Sequence, residues 1–260
     1  MVTVTYITVT YNAAAVLQRT LDSVLSQDYP HITHLIIDGA STDGTLQMVA
    51  DYVARSNAAA NGHDVQLTSE PDRGIYDAMN KGLRSATGDY VCFLNAGDYL
   101  PAPTTVSDIV ATINSTQRTV LPAVLYGHTH IVDGEGRFLR PRRLQPPDRL
   151  TWRSFSHGML VCHQAFYART DFAVQTPYDR RYRYSADVDW CIRIMRQADH
   201  ERVPMLNLHA VVACYTEQGA TTRHHRASLR ERFAVMRRHY GLPTTVVMHL
   251  WFVLRALVRR

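Results

Sequence analysis

The chain has 260 residues, 46% hydrophobic and 20% charged, with 13 Gly and 11 Pro spread along it. That balance suits one large domain with its own core, or a catalytic domain with a small appendage, and excludes disordered, collagen-like and low-complexity chains. The net charge of +5 is local: residues 223–260 hold nine arginines against the single acid Glu231, a balance of +8, so the remaining 222 residues sum to −3.

Residues 2–9 alternate like a strand and lack a basic start and a small-residue cleavage site, so a signal peptide is not expected. Residues 12–28 place Val16, Leu17, Thr20, Leu21, Val24 and Leu25 at helical spacing. A second strand, 34–37, runs into the turn Asp38-Gly39-Ala40-Ser41. A helix follows from Ser41-Thr42-Asp43-Gly44-Thr45, carried on by Leu46, Val49, Tyr52 and Val53. Asp43 reads as a first-turn acid favoured by the helix dipole. Residues 56–63 form a surface loop before a short strand, 64–68. After Asp72-Arg73-Gly74 a helix over 75–85 ends at Thr87-Gly88-Asp89, where Asp89 reads as a turn residue. Residues 90–94 are uniformly apolar, as a strand at the centre of a parallel sheet should be, and stop at Asn95-Ala96-Gly97-Asp98. The spacing then predicts a helix over 104–113, strands over 121–126 and 128–133, and a Pro- and Arg-rich excursion over 134–149. Beyond Cys162 the pattern is less regular, with a helix over 187–197, a strand over 206–215 and two terminal helices split by Gly241-Leu242-Pro243. The cadence predicts an α/β fold, a mostly parallel central sheet flanked by helices, with a C-terminal helical tail.

In open α/β sheets ligands bind beyond the carboxyl ends of the strands, and four such ends carry polar groups: Thr10-Tyr11-Asn12, Asp38, Glu70 to Asp72, and Asn95 to Asp98. No GxGxxG follows the first strand and no Walker GxxxxGKS/T occurs. A nucleotide is then held by Tyr11 against its base, Asp38 accepting from base or ribose donors, and a metal carried by Asp98 bridging the diphosphate. The residues alone reach a nucleotide-using α/β enzyme.

These residues resemble the family 2 glycosyltransferases, with their nucleotide-diphospho-sugar GT-A fold. The likeness spans roughly residues 3–222 and is most specific in Ser-Glu-Pro-Asp-Arg-Gly-Ile-Tyr-Asp-Ala-Met-Asn-Lys-Gly, residues 69–82. With His163-Gln164 and Ser185-Ala186-Asp187, it is similar to the subgroup that builds bacterial exopolysaccharides such as colanic acid. The resemblance implies a catalytic domain over 1–222, its nucleotide-binding half about 1–100 and its acceptor half about 101–222, with a basic amphipathic tail over 223–260. It implies that Thr10, Tyr11, Asp38, Asp72 and Asn95 hold the nucleoside of a UDP-sugar, or in second place a GDP-sugar. Asp98 then coordinates Mn²⁺ or Mg²⁺, and Asp187 is the general base of an inverting transfer of a single sugar. The acceptor implied is a lipid-linked saccharide at the inner face of a bacterial plasma membrane, in exopolysaccharide or envelope glycan synthesis.

Asp189 competes with Asp187 as the base, and reads as a supporting or acceptor-binding residue or as the partner of Arg193 at i+4. His163 and Gln164 fall near the acceptor. Many family members have Asp-Asp at Asp38-Gly39, Asp-x-Asp-Asp at Asn95 to Asp98, and glutamate at Ala186, which unsettles the metal shell and the base preference. The Gln-x-x-Arg-Trp of processive synthases is missing, which favours single additions.

His128 with His130, His157, and His224-His225 have no zinc spacing, and the four widely spaced cysteines form no CxxC pair. The turn Gly219-Ala220-Thr221-Thr222, with Arg223 and His224, is either a loop over the diphosphate or a solvated one. In the tail, Val246, Val247, Leu250, Trp251, Leu254, Leu257 and Val258 share a helical stripe, broken by His249 and Arg255 and closed by Arg259-Arg260. Too short and charged to span a bilayer, it fits a membrane-surface helix, or equally a helix packed on the domain or in a homodimer interface. It lacks a nucleic-acid recognition motif, and no nucleic acid is expected. Two other functions share the acidic mouth: a sugar nucleotidyltransferase, which should show a Gly-rich basic phosphate loop after strand one, and a non-catalytic nucleotide-sugar-binding relative.

Overall fold

The computed structural model describes residues 1–216 and 225–258. The Gly219 to Thr222 turn with Arg223 and His224, and the closing Arg259-Arg260, lie outside the described residues.

The first half alternates strand and helix: β1 (Val4–Thr10), α1 (Ala14–Leu25), β2 (Ile32–Asp38), α2 (Thr45–Ala59), β3 (Asp64–Ser69), α3 (Ile75–Ser85) and β4 (Tyr90–Phe93). The four strands are parallel in the order β3-β2-β1-β4. Every residue of β1 and β4 is buried, which explains why β4 reads as an unbroken apolar run, while β1 intersperses its apolar residues with buried threonines. Leu17 and Leu21 of α1 and Val49 and Tyr52 of α2 meet Ile36 in a small core of their own. Ala78, Met79 and Leu83 of α3 join the main core with Phe93 and Trp190. Helix α3 lies so close to β1 that a Cβ at Gly82 would stand 2.5 Å from Cγ2 of Ile7.

Register sets the mouth of the sheet. Thr10 pairs with Asp38 and Asp38 with Ser69, so three polar residues end neighbouring strands at one level. Strand β4 lies on the other side of β1, so the chain reverses direction between β1 and β4, the place where a crevice opens in this class of sheet.

The second half contains α4 (Thr105–Ser115), β5 (Val124–Val132), β6 (Phe138–Pro141), β7 (Phe166–Arg169), α5 (Thr170–Gln175), α6 (Ala186–His200) and β8 (Met205–Thr216). Strand β7 lies antiparallel between β4 and β5, while β8 runs parallel to β5. The two strands expected over 121–133 are one. At Gly127 the register to β8 shifts, and a Cβ there would meet the Ala210 carbonyl oxygen at 2.7 Å. Strand β7 was not foreseen, since four residues, three of them buried in succession without alternation, give no periodic signal.

The last element, α7 (His225–Val258), kinks at Gly241, where φ is 79° and ψ 164°. Its first half belongs to the domain: Val235 is in the main core, and Met236 and His239 are buried. Beyond Gly241, Val247, Leu250 and Leu254 are about 60% exposed. Past the kink Thr245 is still buried and the Trp251 ring stands edge-on to His157.

One buried group gives the fold a pH dependence. His34 is fully buried, its Nδ1 at 2.8 Å from the Tyr52 hydroxyl and its Nε2 at 2.8 Å from that of Thr8. Burial, with the nearby His63 charge, pushes it down from 6.5 to about 3. The unfolded chain thus binds the proton first, and stability present above pH 6.5 is lost as the pH falls towards 3, by about 5 kcal/mol in full. The stability advantage of the wild type over His34→Gln should shrink steadily from pH 7 to pH 4 in urea titrations. A difference that does not change with pH would show that folding leaves the His34 pKa where it is in the unfolded chain.

Candidate active site

The β1–β2 side of the mouth is built around a buried carboxylate. Asp38 accepts hydrogen bonds from the Thr10 hydroxyl (2.9 Å), the Ser41 amide (2.8 Å) and hydroxyl (2.5 Å), and the Ser69 hydroxyl (2.8 Å). Burial would raise its pKa, but these donors outweigh it and hold the carboxyl below its ordinary value. Its oxygens are engaged by the ends of β1 and β3 and by the Ser41 turn, so Asp38 ties the strand ends together from beneath. Thr10, only 4% exposed, is part of the same underpinning.

Tyr11 stands above it, 67% exposed. A Cβ at Gly39 would lie 3.3 Å from Cδ2 of Tyr11 and 2.5 Å from Oδ2 of Asp72, so the missing side chain lets these two groups face each other. Asp72 is fixed by accepting from the Gly74 amide at 2.7 Å.

The other side of the mouth joins two carboxylates through one dipeptide. Asp98 follows β4 and is 7% exposed, with its Oδ2 accepting from Gln164 Nε2 at 2.7 Å. Burial pushes its carboxyl up to about 6, against the Gln164 bond and the His163 charge. The neighbouring His163 lies 2.9 Å from Asn95 Nδ2 through Nε2 and 3.4 Å from Asp187 Oδ2 through Nδ1. Since a carboxylate only accepts, Nδ1 carries the proton shared with Asp187. Both ring nitrogens are taken within the protein. Asn95 Oδ1 is left buried without a partner.

Asp187 stands in the first turn of α6 and accepts from the Tyr76 hydroxyl at 3.3 Å. Burial works to raise its pKa, and the His163 bond, the charges of His163 and Arg232 and the Val188 amide more than reverse it. The carboxylate is therefore ionised at neutral pH. Tyr76 lies inside the 69–82 motif, yet its role was not read from the sequence. The signal available was an aromatic hydroxyl at the start of the helix that faces α6.

Asp189 points elsewhere. It is fully buried and bonds to Arg193 Nε at 2.6 Å and His239 Nε2 at 2.8 Å, so the i+4 pairing is found and the side chain faces α7 rather than the mouth. Asp43 receives the Thr45 amide at the start of α2, and Asp89 ties β4 to the Thr3 amide at 2.7 Å. His128 pairs with Gln145 and His130 packs on Phe138. The excursion after β5 covers a cleft of about 740 Å³ over α1, where Arg19 donates to the Gly134 carbonyl, and this cleft reaches the mouth only at Gly97.

No group of three His, Cys, Asp or Glu that could hold a metal occurs among the described residues. A cation would take one protein carboxylate, Asp98, and complete its shell from a bound diphosphate and water, a mode that suits Mg²⁺. A buried carboxylate with one side-chain donor among the described residues, beside an orphaned amide oxygen, fits that use.

The chain matches the family model described as glycosyl transferase family 2 over residues 5–175. A Mycobacterium bovis BCG protein, "PGL/p-HBAD biosynthesis glycosyltransferase", is 34% identical over 211 residues, covering 81% of this chain and 75% of that protein. The Erwinia amylovora "Amylovoran biosynthesis glycosyltransferase AmsB" is 28% identical over 70% of this chain and 60% of its own. Among solved structures, Staphylococcus aureus TarS with UDP-GlcNAc superposes with a TM-score of 0.67 at 18% identity over 92% of this chain and 67% of that one. This chain spans 40% of the longer TarS chain. The Pyrobaculum calidifontis mannosyltransferase PcManGT, solved with GDP-Man and Mn²⁺, superposes with a TM-score of 0.59 at 22% identity over 95% of this chain and 68% of its own. The fold is of the GT-A type. Family match and sequence relatives together decide for glycosyl transfer over nucleotidyl transfer: the chain belongs to glycosyl transferase family 2.

Proposed function

We propose that the protein moves one sugar from a nucleotide diphosphosugar to a saccharide hydroxyl, with inversion at the anomeric carbon. The observation that carries this reading is the pairing of Asp98 and Asp187 across His163-Gln164, which sets a buried carboxylate and an ionised one at a single mouth. Tyr11 and Asp72 would embrace the nucleoside over the turn that Asp38 and Thr10 hold in place, with Asn95 Oδ1 open to a ribose hydroxyl or metal-bound water. Asp98, steadied by Gln164, is the residue to hold Mn²⁺ or Mg²⁺, whose Lewis acidity when bound eases departure of the diphosphate. Asp187 takes the proton of the acceptor hydroxyl as its oxygen bonds to the anomeric carbon and the bond to the diphosphate breaks. The proton ends on Asp187 and the nucleoside diphosphate leaves. Tyr76 and His163 orient the base, and a UDP-sugar is the first donor to try, with a GDP-sugar second.

The acceptor proposed is a lipid-linked saccharide in the assembly of an exopolysaccharide or envelope glycan, in keeping with what the mycobacterial and Erwinia relatives are named for. No helix among the described residues is long and apolar enough to cross a membrane. The exposed stripe of Val247, Leu250 and Leu254, with Arg255 over Trp251, would instead lie on the inner face of the plasma membrane.

Incubation with UDP- and GDP-sugars tests the reaction: free UDP or GDP and a product of inverted configuration support it, while retained configuration or released pyrophosphate contradicts it. The Gly39 opening gives a second test. Gly39→Ala should push Asp72 aside and weaken nucleotide binding about fivefold while leaving the melting temperature nearly unchanged, since the displaced atom is a side-chain end. Unchanged affinity by calorimetry would remove Asp72 from the nucleoside pocket.

A further inference from the structure

We propose that Glu231, the single acid of the basic tail, is a positioning residue that sets the catalytic base from a distance, an inference that rests on Asp187 acting as that base. Helix α6 has no side-chain cap of its own: the hydroxyl of Ser185, its N-cap, turns away to donate to the Ser228 carbonyl of α7 at 3.3 Å. The stretch of chain that leads into the helix is held instead from α7. The Glu231 carboxylate accepts from three consecutive amides just ahead of the helix, those of Arg183 (2.9 Å), Tyr184 (2.7 Å) and Ser185 (3.0 Å). Asp187 is only two residues further on.

Three features make this more than a tie between two helices. Amide bonds to an ionised carboxylate are about twice as strong as neutral ones, and a negative charge at a helix N-terminus is favoured by the helix dipole, so the clamp is directional. The far end of the same contact is fixed too, by Asp189 on His239 at 2.8 Å and Asp179 on Arg238 at 3.0 Å, so the first half of α7 cannot slide along α6. Finally, Arg232, next to Glu231, adds the positive charge that helps keep Asp187 ionised. The element expected as an appendage thus holds the reacting carboxylate in register with Tyr76 and His163. The Glu231 carboxylate bonds to the amides of 183–185, two residues ahead of Asp187, so the clamp bears on the proton-accepting half of the site.

The test uses the full chain with Glu231→Ala, Glu231→Gln and Asp187→Asn. UDP-GlcNAc and GDP-Man serve as donors and nucleotide release as the readout, together with amide exchange over residues 183–187. The inference expects Glu231→Ala to lower kcat by about 30-fold, in the range that a misplacement near 1 Å costs, with donor KM and nucleotide affinity within about twofold. Glu231→Gln, which keeps an accepting oxygen, should recover part of that loss. Exchange at 183–185 should quicken at least about tenfold in both variants while β1 and β4 stay protected, a readout that needs no turnover. If the alanine variant does not fold, the glutamine variant carries both measurements. Unchanged kcat or unchanged exchange overturns the inference, and so does a loss shared equally by nucleotide affinity, which would mark general damage. Failure of the base assignment shows separately: Asp187→Asn would keep its kcat, and the role of Glu231 would fall with it.

Discussion

Asp187→Asn should lower kcat for nucleotide release by about a thousandfold, the middle of the range for removing a positioned general base, while nucleotide affinity stays within about twofold. The amide keeps the shape of the carboxylate, and its oxygen can still accept from the Tyr76 hydroxyl and from Nδ1 of His163, so the site should not collapse. What it loses is the ability to take a proton from the acceptor. The pH profile gives an independent check. The Asp187 carboxyl is held below its ordinary value, burial notwithstanding, by the His163 bond and the charges of His163 and Arg232. Its acid limb in kcat should therefore fall below the usual carboxylate range. Any limb near pH 6 should instead belong to Asp98 and should move with metal concentration. Full activity in the Asp187→Asn variant would transfer the base to another group.

Asp98→Asn is expected to produce a more stable protein that has lost its function. The metal-free carboxyl is raised by burial from 3.8 to about 6, so the folded state holds its proton more tightly than the unfolded state. Stability from that proton is complete below pH 3.8 and is lost as the pH rises through 6. Above that the ionised group costs up to about 3 kcal/mol. An asparagine carries no such charge and can still accept from Gln164. In chelator at pH 7.5 the variant should resist urea better than the wild type by about 1 to 3 kcal/mol, and the gap should close by pH 4. A wild type that is the more stable protein at both pH values would mean that Asp98 is comfortable as an ion without a cation, and the metal role would lose its physical basis.

Much of the donor half was legible because its signals are local. The apolar run of β4 ending in Asn95 to Asp98 placed a carboxylate after the strand, and β1 and β2 end at Thr10 and Asp38, one residue past the expected 9 and 37. The saturation of Asp38 was not legible, because Thr10 and Ser69 come from two other strand ends that only the register brings level with the local Ser41 turn. His163 and Gln164 were read as lying near the acceptor; that Asn95, 68 residues away in sequence, and Asp187 take both nitrogens of His163 had no local signal. Glu231 stood out in composition as the lone acid of the tail, yet its partners lie 46 to 48 residues earlier in backbone amides that no sequence pattern marks. Asp189 shows the reverse case: an i+4 spacing to Arg193 gave its pairing outright, since a helix fixes that distance. The exposed stripe beyond Gly241 was legible as amphipathic, while the packing of the first half of α7 into the core was hidden among its arginines.

The central claim is an intact donor site that needs a cation at Asp98. Melting temperatures with UDP, GDP, dTDP and CDP, each with Mn²⁺ and with EDTA, test it most directly in the wild type and Asp98→Asn. A ligand that binds only the folded state at 100 times its Kd adds about 2.7 kcal/mol, a shift of several degrees in a chain of this size. The account predicts a rise with one nucleotide, UDP first, that disappears in EDTA and in the variant. No rise with any nucleotide, or a rise that survives both EDTA and Asp98→Asn, would contradict it.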